Sequence, residues 1–247
     1  MSKEHRPSHS PTHGRLDAHL FRVLKELQRS SVNPGFYDPQ FQTDRVRSIL
    51  ASLLRDRLVP QMYLAKSEAI SPMVHPLPDY DRPPKRATPP IEALGLLYIN
   101  PNFIRFLSDK EIATLLLHEG FHVQHVQEIK RLTRALPDTK FGNMVARMVM
   151  RKHELDADSY ASSITGGESN ISFLIKFKML NIANLNPEIL KSQNSHIIRV
   201  TASKLMPDEM SLKERFWSFI DTFGKLHPSL PRRIANSIKY ITPHAMP

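Results

Sequence analysis

The sequence predicts an α+β protein that is mostly helical and carries a small sheet. Three observations lead there. After residue 108, apolar residues recur every three to four positions almost to the end of the chain, the spacing of one helix face. Only two short runs, Gln61 to Ala65 and Leu94 to Asn100 (LGLLYIN), have strand character. Glycine is scarce at 8 and proline abundant at 20. That composition and the missing glycine-rich motifs argue against a Rossmann or P-loop phosphate cradle.

In chain order, residues 1–15 hold His, Ser and Pro with almost nothing apolar and read as a disordered head. His5, His9 and His13 are four apart, but Pro7, Pro11 and Gly14 work against the helix that would stack them, so a solvated tail is the expectation. Leu16, Leu20, Val23, Leu24 and Leu27 form one stripe of a helix over 16–28. A second amphipathic helix covers 44–57 and stops at Pro60. Residues 16–60 thus form a helical N-terminal extension. Residues 71–90 hold 7 of the 20 prolines and read as a long irregular insertion. The Leu94–Asn100 run reads as a buried or edge strand, stopped by Asn100-Pro101. Ser108 and Glu111 have capping-box spacing, opening a helix from Asp109 to beyond Ile129. Another helix runs from about Asn143 to Thr165, closed by Gly166-Gly167. Further helices are expected near 171–183, 187–205, 211–223 and 231–240.

The 247 residues carry a net charge of +10 and no cysteine. Disulfides, a cysteine nucleophile and thiolate metal sites are therefore excluded, and a metal site must use His, Asp and Glu. The basic residues are spread along the chain rather than blocked into runs, so the charge reads as ordinary solubility. No apolar run approaches the ~20 residues that span a bilayer, and no signal-peptide core opens the chain. A soluble protein, cytoplasmic by default, is expected, with delivery by a secretion system left open.

The first long helix contains His118-Glu119-Gly120-Phe121-His122. Residues four apart on a helix share a face, so both imidazoles can bind one zinc ion, with Glu119 as general base toward a bound water. Random placement of such a pattern gives only about 0.03 matches in a chain of this composition. A third ligand ten residues after the first His is rejected: position 125 is His rather than Gly, and position 128 is Glu. The next helix offers Arg151-Lys152-His153-Glu154-Leu155-Asp156-Ala157-Asp158. Glu154 and Asp158 share a face. Glu154 is the expected third ligand, and Asp158 the expected hydrogen-bond partner of a zinc histidine. Ala157 is small enough to let the two helices approach. His125 is expected either to be buried and hydrogen-bonded or to line the cleft, not to ligate, since a fourth protein ligand would close the open position.

With H-E-G-F-H followed by R-x-x-E-x-x-A-D, the chain resembles the gluzincin metallopeptidases of family 48, which include the CAAX prenyl proteases and the bacterial heat-shock protease HtpX. The segment Leu96 to Leu116 and the run His227-Pro228-Ser229-Leu230-Pro231-Arg232-Arg233-Ile234 agree with that resemblance, which covers roughly residues 94–240. It implies a zincin-like fold with a small sheet beside the H-E-x-x-H helix, in a peptidase domain over 61–247. It also implies one zinc per chain on His118, His122 and Glu154, Glu119 as base and Asp158 behind the ligands. His227 would be catalytic through oxyanion stabilisation, its alternative being a helix-capping role before Pro228. Arg233 is expected to anchor the fold by pairing a carboxylate. The chain departs from the family in lacking membrane spans and in placing Phe121 before the second histidine, where a small residue is usual.

The expected activity is a zinc-dependent endopeptidase acting on a peptide or protein substrate, which would add as a strand to the edge near Leu96–Asn100. The alternative is a silent or latent protease-fold protein that works as a basic-surface module for nucleic acid or an anionic membrane. Nucleic acid is disfavoured, and peripheral membrane contact is left open.

Overall fold

A computed structural model describes residues 22–23, 25–26, 38–68, 73–77, 94–182 and 228–241. The expected head at 1–15, the helices expected at 187–205 and 211–223, and His227 lie outside these residues. Within them the order is α1 (Pro39–Arg55), β1 (Met62–Lys66), β2 (Met73–Leu77), β3 (Leu94–Ile99), α2 (Pro101–Ile104), α3 (Asp109–Arg134), α4 (Lys140–Thr165), α5 (Gly167–Ile182) and α6 (Leu230–Ile238). The molecule is mostly helical with one small sheet, as the sequence predicts. None of the described helices is long and apolar enough to cross a membrane.

The sheet departs from expectation in two ways. Strand order is β1-β3-β2, with β1 parallel and β2 antiparallel to β3. The Leu94–Ile99 strand is therefore central, the buried one of the two readings, and the edge reading on which substrate addition was expected is corrected. A strand also forms inside the proline-rich stretch read as irregular. Pro76 pairs with Gly95 in β2, and an edge strand tolerates a residue that cannot donate on both sides. The cross-strand ladder, invisible to local composition, overrides the proline signal.

Helix α3 starts at Asp109 as expected, while α1 and α4 start earlier than the expected 44 and 143, at Pro39 and Lys140, where side-chain caps precede them. Asp38 accepts from the Gln40 backbone N–H at 2.8 Å, with Pro39 in the first turn of α1. Ser108 and Glu111 form a reciprocal capping box at the start of α3, at 3.3 and 2.7 Å. Thr139 caps α4 through the Gly142 N–H at 3.0 Å. Gly142 is required there, since a Cβ would stand 1.9 Å from the Pro137 carbonyl oxygen. Gly166 ends α4 at φ 86°, a backbone shape only glycine adopts cheaply. Gly167 belongs to the next helix rather than to the closure.

Helix α3 runs through the middle. Ile112, Leu115, Leu116 and Leu117 are fully buried, each contributing about 1.5–3 kcal/mol by leaving water. The helix packs most extensively on α4 and also touches α1, α5, β2 and β3. Its first turn is tied down electrostatically. Buried Lys176 of α5 reaches Glu111 at 2.8 Å and Glu26 at 2.7 Å, and Ser172 donates to Glu111. Arg45 of α1 bonds Asp109 and the Leu107 carbonyl.

Candidate metal centre

Two adjacent helices bring the predicted residues together. His118 and His122 are one turn apart on α3, and Glu154 faces them from α4. The His118 and His122 Nε2 atoms are 3.1 Å apart. One Glu154 oxygen is 3.7 Å from His118 Nε2 and the other 3.4 Å from His122 Nε2. These three are the group among the described residues able to hold a metal ion. Donors held about 2.0–2.2 Å from one ion in tetrahedral array stand about 3.3–3.6 Å from each other. The observed spacings bracket that range, so the residues fit a small divalent cation.

The helices approach closely because their contact residues are small. Ala157 and Ala161 of α4 are fully buried. Gly120 lies between the two histidines, and a Cβ there would come within 2.9 Å of Val59. Gly120 therefore lets the segment leading into β1 close over α3. Phe121, bulky where the resembled family has a small residue, is packed among rings: stacked on His125 at 4.0 Å and tilted against His153 at 5.2 Å and Tyr160 at 5.6 Å. The Tyr160 hydroxyl donates to the Leu58 carbonyl and holds α4 to the same segment. His125 is hydrogen-bonded but half-buried rather than buried: its Nδ1–H donates to the Phe121 carbonyl at 2.9 Å.

Behind the donors sits a buried charge chain. Asp158 is wholly buried, and one of its oxygens is 3.1 Å from His118 Nδ1. The contact lies off the line of a straight ring N–H bond and acts as a charge pair. Arg233 of α6 grips Asp158 with two bonds of 2.7 Å, the carboxylate pairing expected of it. It also stands 3.9 Å from Glu154. Asn236, one turn on, donates to the Leu155 carbonyl at 2.8 Å and the Ser159 hydroxyl at 2.9 Å. Helix α6 is thereby pinned along α4.

The titration pattern follows from this crowding. Burial opposes a charged His118, but the adjacent carboxylates of Asp158 and Glu154 together outweigh it and raise its pKa to about 10. Burial, reinforced by the charge on His118, lowers His122 to about 3. Burial also works against an ionised Asp158, yet Arg233 and then His118 bring its pKa below the ordinary value. Between the two Nε2 atoms there is thus room for one positive charge held by carboxylates. Glu119, also buried, acts on Arg233 through space. Three carboxylates then face one guanidinium, and a doubly charged cation balances them.

Sequence reasoning passed over His153. It is buried, its ring is 4.8 Å from that of His122, and burial followed by the nearby His125 lowers its pKa. The available signal was its position beside Glu154. The expectation that a peptide adds at Leu96–Asn100 is corrected by strand order: both sides of β3 are taken. No protein-family model, curated protein or solved structure matches the chain.

Proposed function

We propose that the chain is a zinc-dependent endopeptidase of the gluzincin type with a zincin-like fold. The observation that carries the reading is the His118, His122 and Glu154 donor set at tetrahedral spacing, with Glu119 beside the first donor. His118, His122 and Glu154 would hold the ion through two imidazoles and a carboxylate, leaving a position open as hydrolytic sites require. When bound, zinc supplies Lewis acidity and brings a water's pKa toward neutrality.

The other steps belong to the chain. Glu119 takes the proton of the attacking water and delivers it to the leaving amine. Asp158, fixed by Arg233, fixes the ring of His118 in turn. His153 and Phe121 wall the His122 side of the site with rings that exclude water. The extended substrate pairs with β2, the edge strand that packs on α3, through main-chain bonds that tolerate varied side chains.

The test is Glu119→Gln assayed on a quenched-fluorescence peptide library, with metal content measured in parallel. Cleavage should fall by about 10²–10⁴ while the metal stays bound. Equal cleavage by variant and wild type rejects Glu119 as the base.

A further inference from the structure

A buried histidine has two ring nitrogens to satisfy, and protein interiors rarely leave such atoms without a partner. Three of the four histidines on α3 and α4 find theirs within the chain. His118 faces Asp158 and Glu154, His122 faces His118 and Glu154, and His125 bonds the Phe121 carbonyl. His153 differs. It is only 7% exposed, yet no hydrogen bond joins its ring to any of the described residues. Its neighbours are other rings: His122 at 4.8 Å, Phe121 at 5.2 Å and His125 at 6.0 Å. Neither of its nitrogens is sealed in the interior. The imidazole is therefore gripped by its faces, with its polar edge open to whatever enters beside it.

The donor set has one side that solvent reaches. The side chains of His118 and Glu154 are 6% and 8% exposed, and that of His122 is 19%. A ligand therefore comes to the donors past His122, and His153 is a ring standing next to His122. Its place is held from both helices. It precedes Glu154 on α4, and it packs on Phe121, the residue before His122 on α3. A polar group on rigid elements, locked by packing and free to bond, is what a binding site requires.

We infer, resting on the peptidase reading, that His153 is a further catalytic residue: its ring N–H donates to the scissile carbonyl oxygen as negative charge gathers there. The carbonyl oxygen is the substrate atom drawn to the donors, and His153 borders their open side. Either neutral tautomer of the imidazole has one N–H to give. In the reaction, the water oxygen bonds to the carbonyl carbon and the π electron pair moves onto the carbonyl oxygen. Glu119 takes one water proton. The pair returns as the C–N bond breaks, the amine leaves with the proton from Glu119, and the new acid keeps the other water hydrogen. His153 keeps its own proton throughout and supplies a hydrogen bond that is strongest at the tetrahedral stage. The resemblance gives this part to His227; among the described residues, His153 is the group that stands beside the donors for it.

The experiment compares His153→Phe, which keeps a ring and removes the donor, with His153→Gln, which restores a donor. The full zinc-loaded chain is assayed on a quenched-fluorescence peptide. A phosphinic peptide built on the best-cleaved sequence, a tetrahedral and anionic mimic, is titrated by calorimetry beside the cleavage product. In His153→Phe, kcat should fall about 10²–10³-fold with KM near wild type. Phosphinic-peptide affinity should fall by a similar factor while product affinity holds. One zinc per chain and the thermal midpoint should stay in place, and His153→Gln should recover part of both losses. Unchanged kcat and phosphinic affinity in His153→Phe, beside a wild type that cleaves, overturn the inference and leave the peptidase reading standing. Loss of zinc from His153→Phe, or losses that His153→Gln does not recover, make His153 a structural wall and overturn it too. A zinc-loaded wild type that cuts no peptide removes the peptidase reading and this inference with it.

Discussion

The two ends of the α3–α4 pair are built from the same helices and differ in burial. At the inner end, covered by α5, α6 and the sheet, each buried charge has a counterpart: Glu111 with Lys176, and Asp158 with Arg233. At the outer end Leu132, Phe141 and Met148 are exposed, and among residues 124–150 only Gly142 is buried. Helix propensity does not distinguish the ends. What differs is what packs on them. A charge can be buried where a second helix supplies its partner at hydrogen-bond distance.

Substitutions at the two ends should therefore differ in kind. Glu154→Ala removes a donor and should abolish stoichiometric zinc, read by elemental analysis, with peptide cleavage lost alongside. Retention of one zinc per chain would break the assignment of the third ligand. Asp158→Asn keeps the donors and loosens their support. Zinc affinity should drop about 10–100-fold in a competition titration with a chromogenic chelator.

The same variant carries a pH signature in the zinc-free protein. Because Asp158 titrates below its ordinary value of 3.8, its contribution to stability is whole above that value. It is lost as pH falls through the lowered folded value. Denaturant midpoints measured down the acid limb should fall less steeply in Asp158→Asn than in wild type.

Gly120→Ala presses a methyl onto Val59 and Pro60 and should cost about 1–3 kcal/mol of stability, seen as a lower urea midpoint at unchanged slope. At the outer end, Phe141→Ala should stay within about 0.5 kcal/mol of wild type. A loss as large as that of Gly120→Ala would mean that the hairpin face is packed against something, and would erase the contrast between the ends.

Much of the inner end was legible in the sequence, because its signals are local. Ser108 with Glu111 and the His118 to His122 spacing each act within one helical turn, and the structure places them as the turn dictates. The junction of Glu154 with the two histidines was legible only through the pattern of a second helix. What escaped notice depends on distant neighbours. Strand β2 forms despite Pro76 because β3 offers a ladder. Strand β3 is central because β1, some thirty residues earlier, lies along its other side. His153 carries no motif of its own, and only the packing of α4 on Phe121 gives it a place.

The grip of Arg233 on Asp158 also bears on when the site comes into being. The two residues are 75 positions apart, and Asp158 is fully buried. Leaving such a carboxylate without its guanidinium costs about 3–5 kcal/mol, enough to keep α3 and α4 from settling until α6 docks. During synthesis on the ribosome, both histidines are made more than a hundred residues before Arg233 appears. A nascent chain therefore carries its donors without the brace that aligns them. The donor set is therefore aligned only after translation has passed Arg233, so any ion held there is gripped late in synthesis.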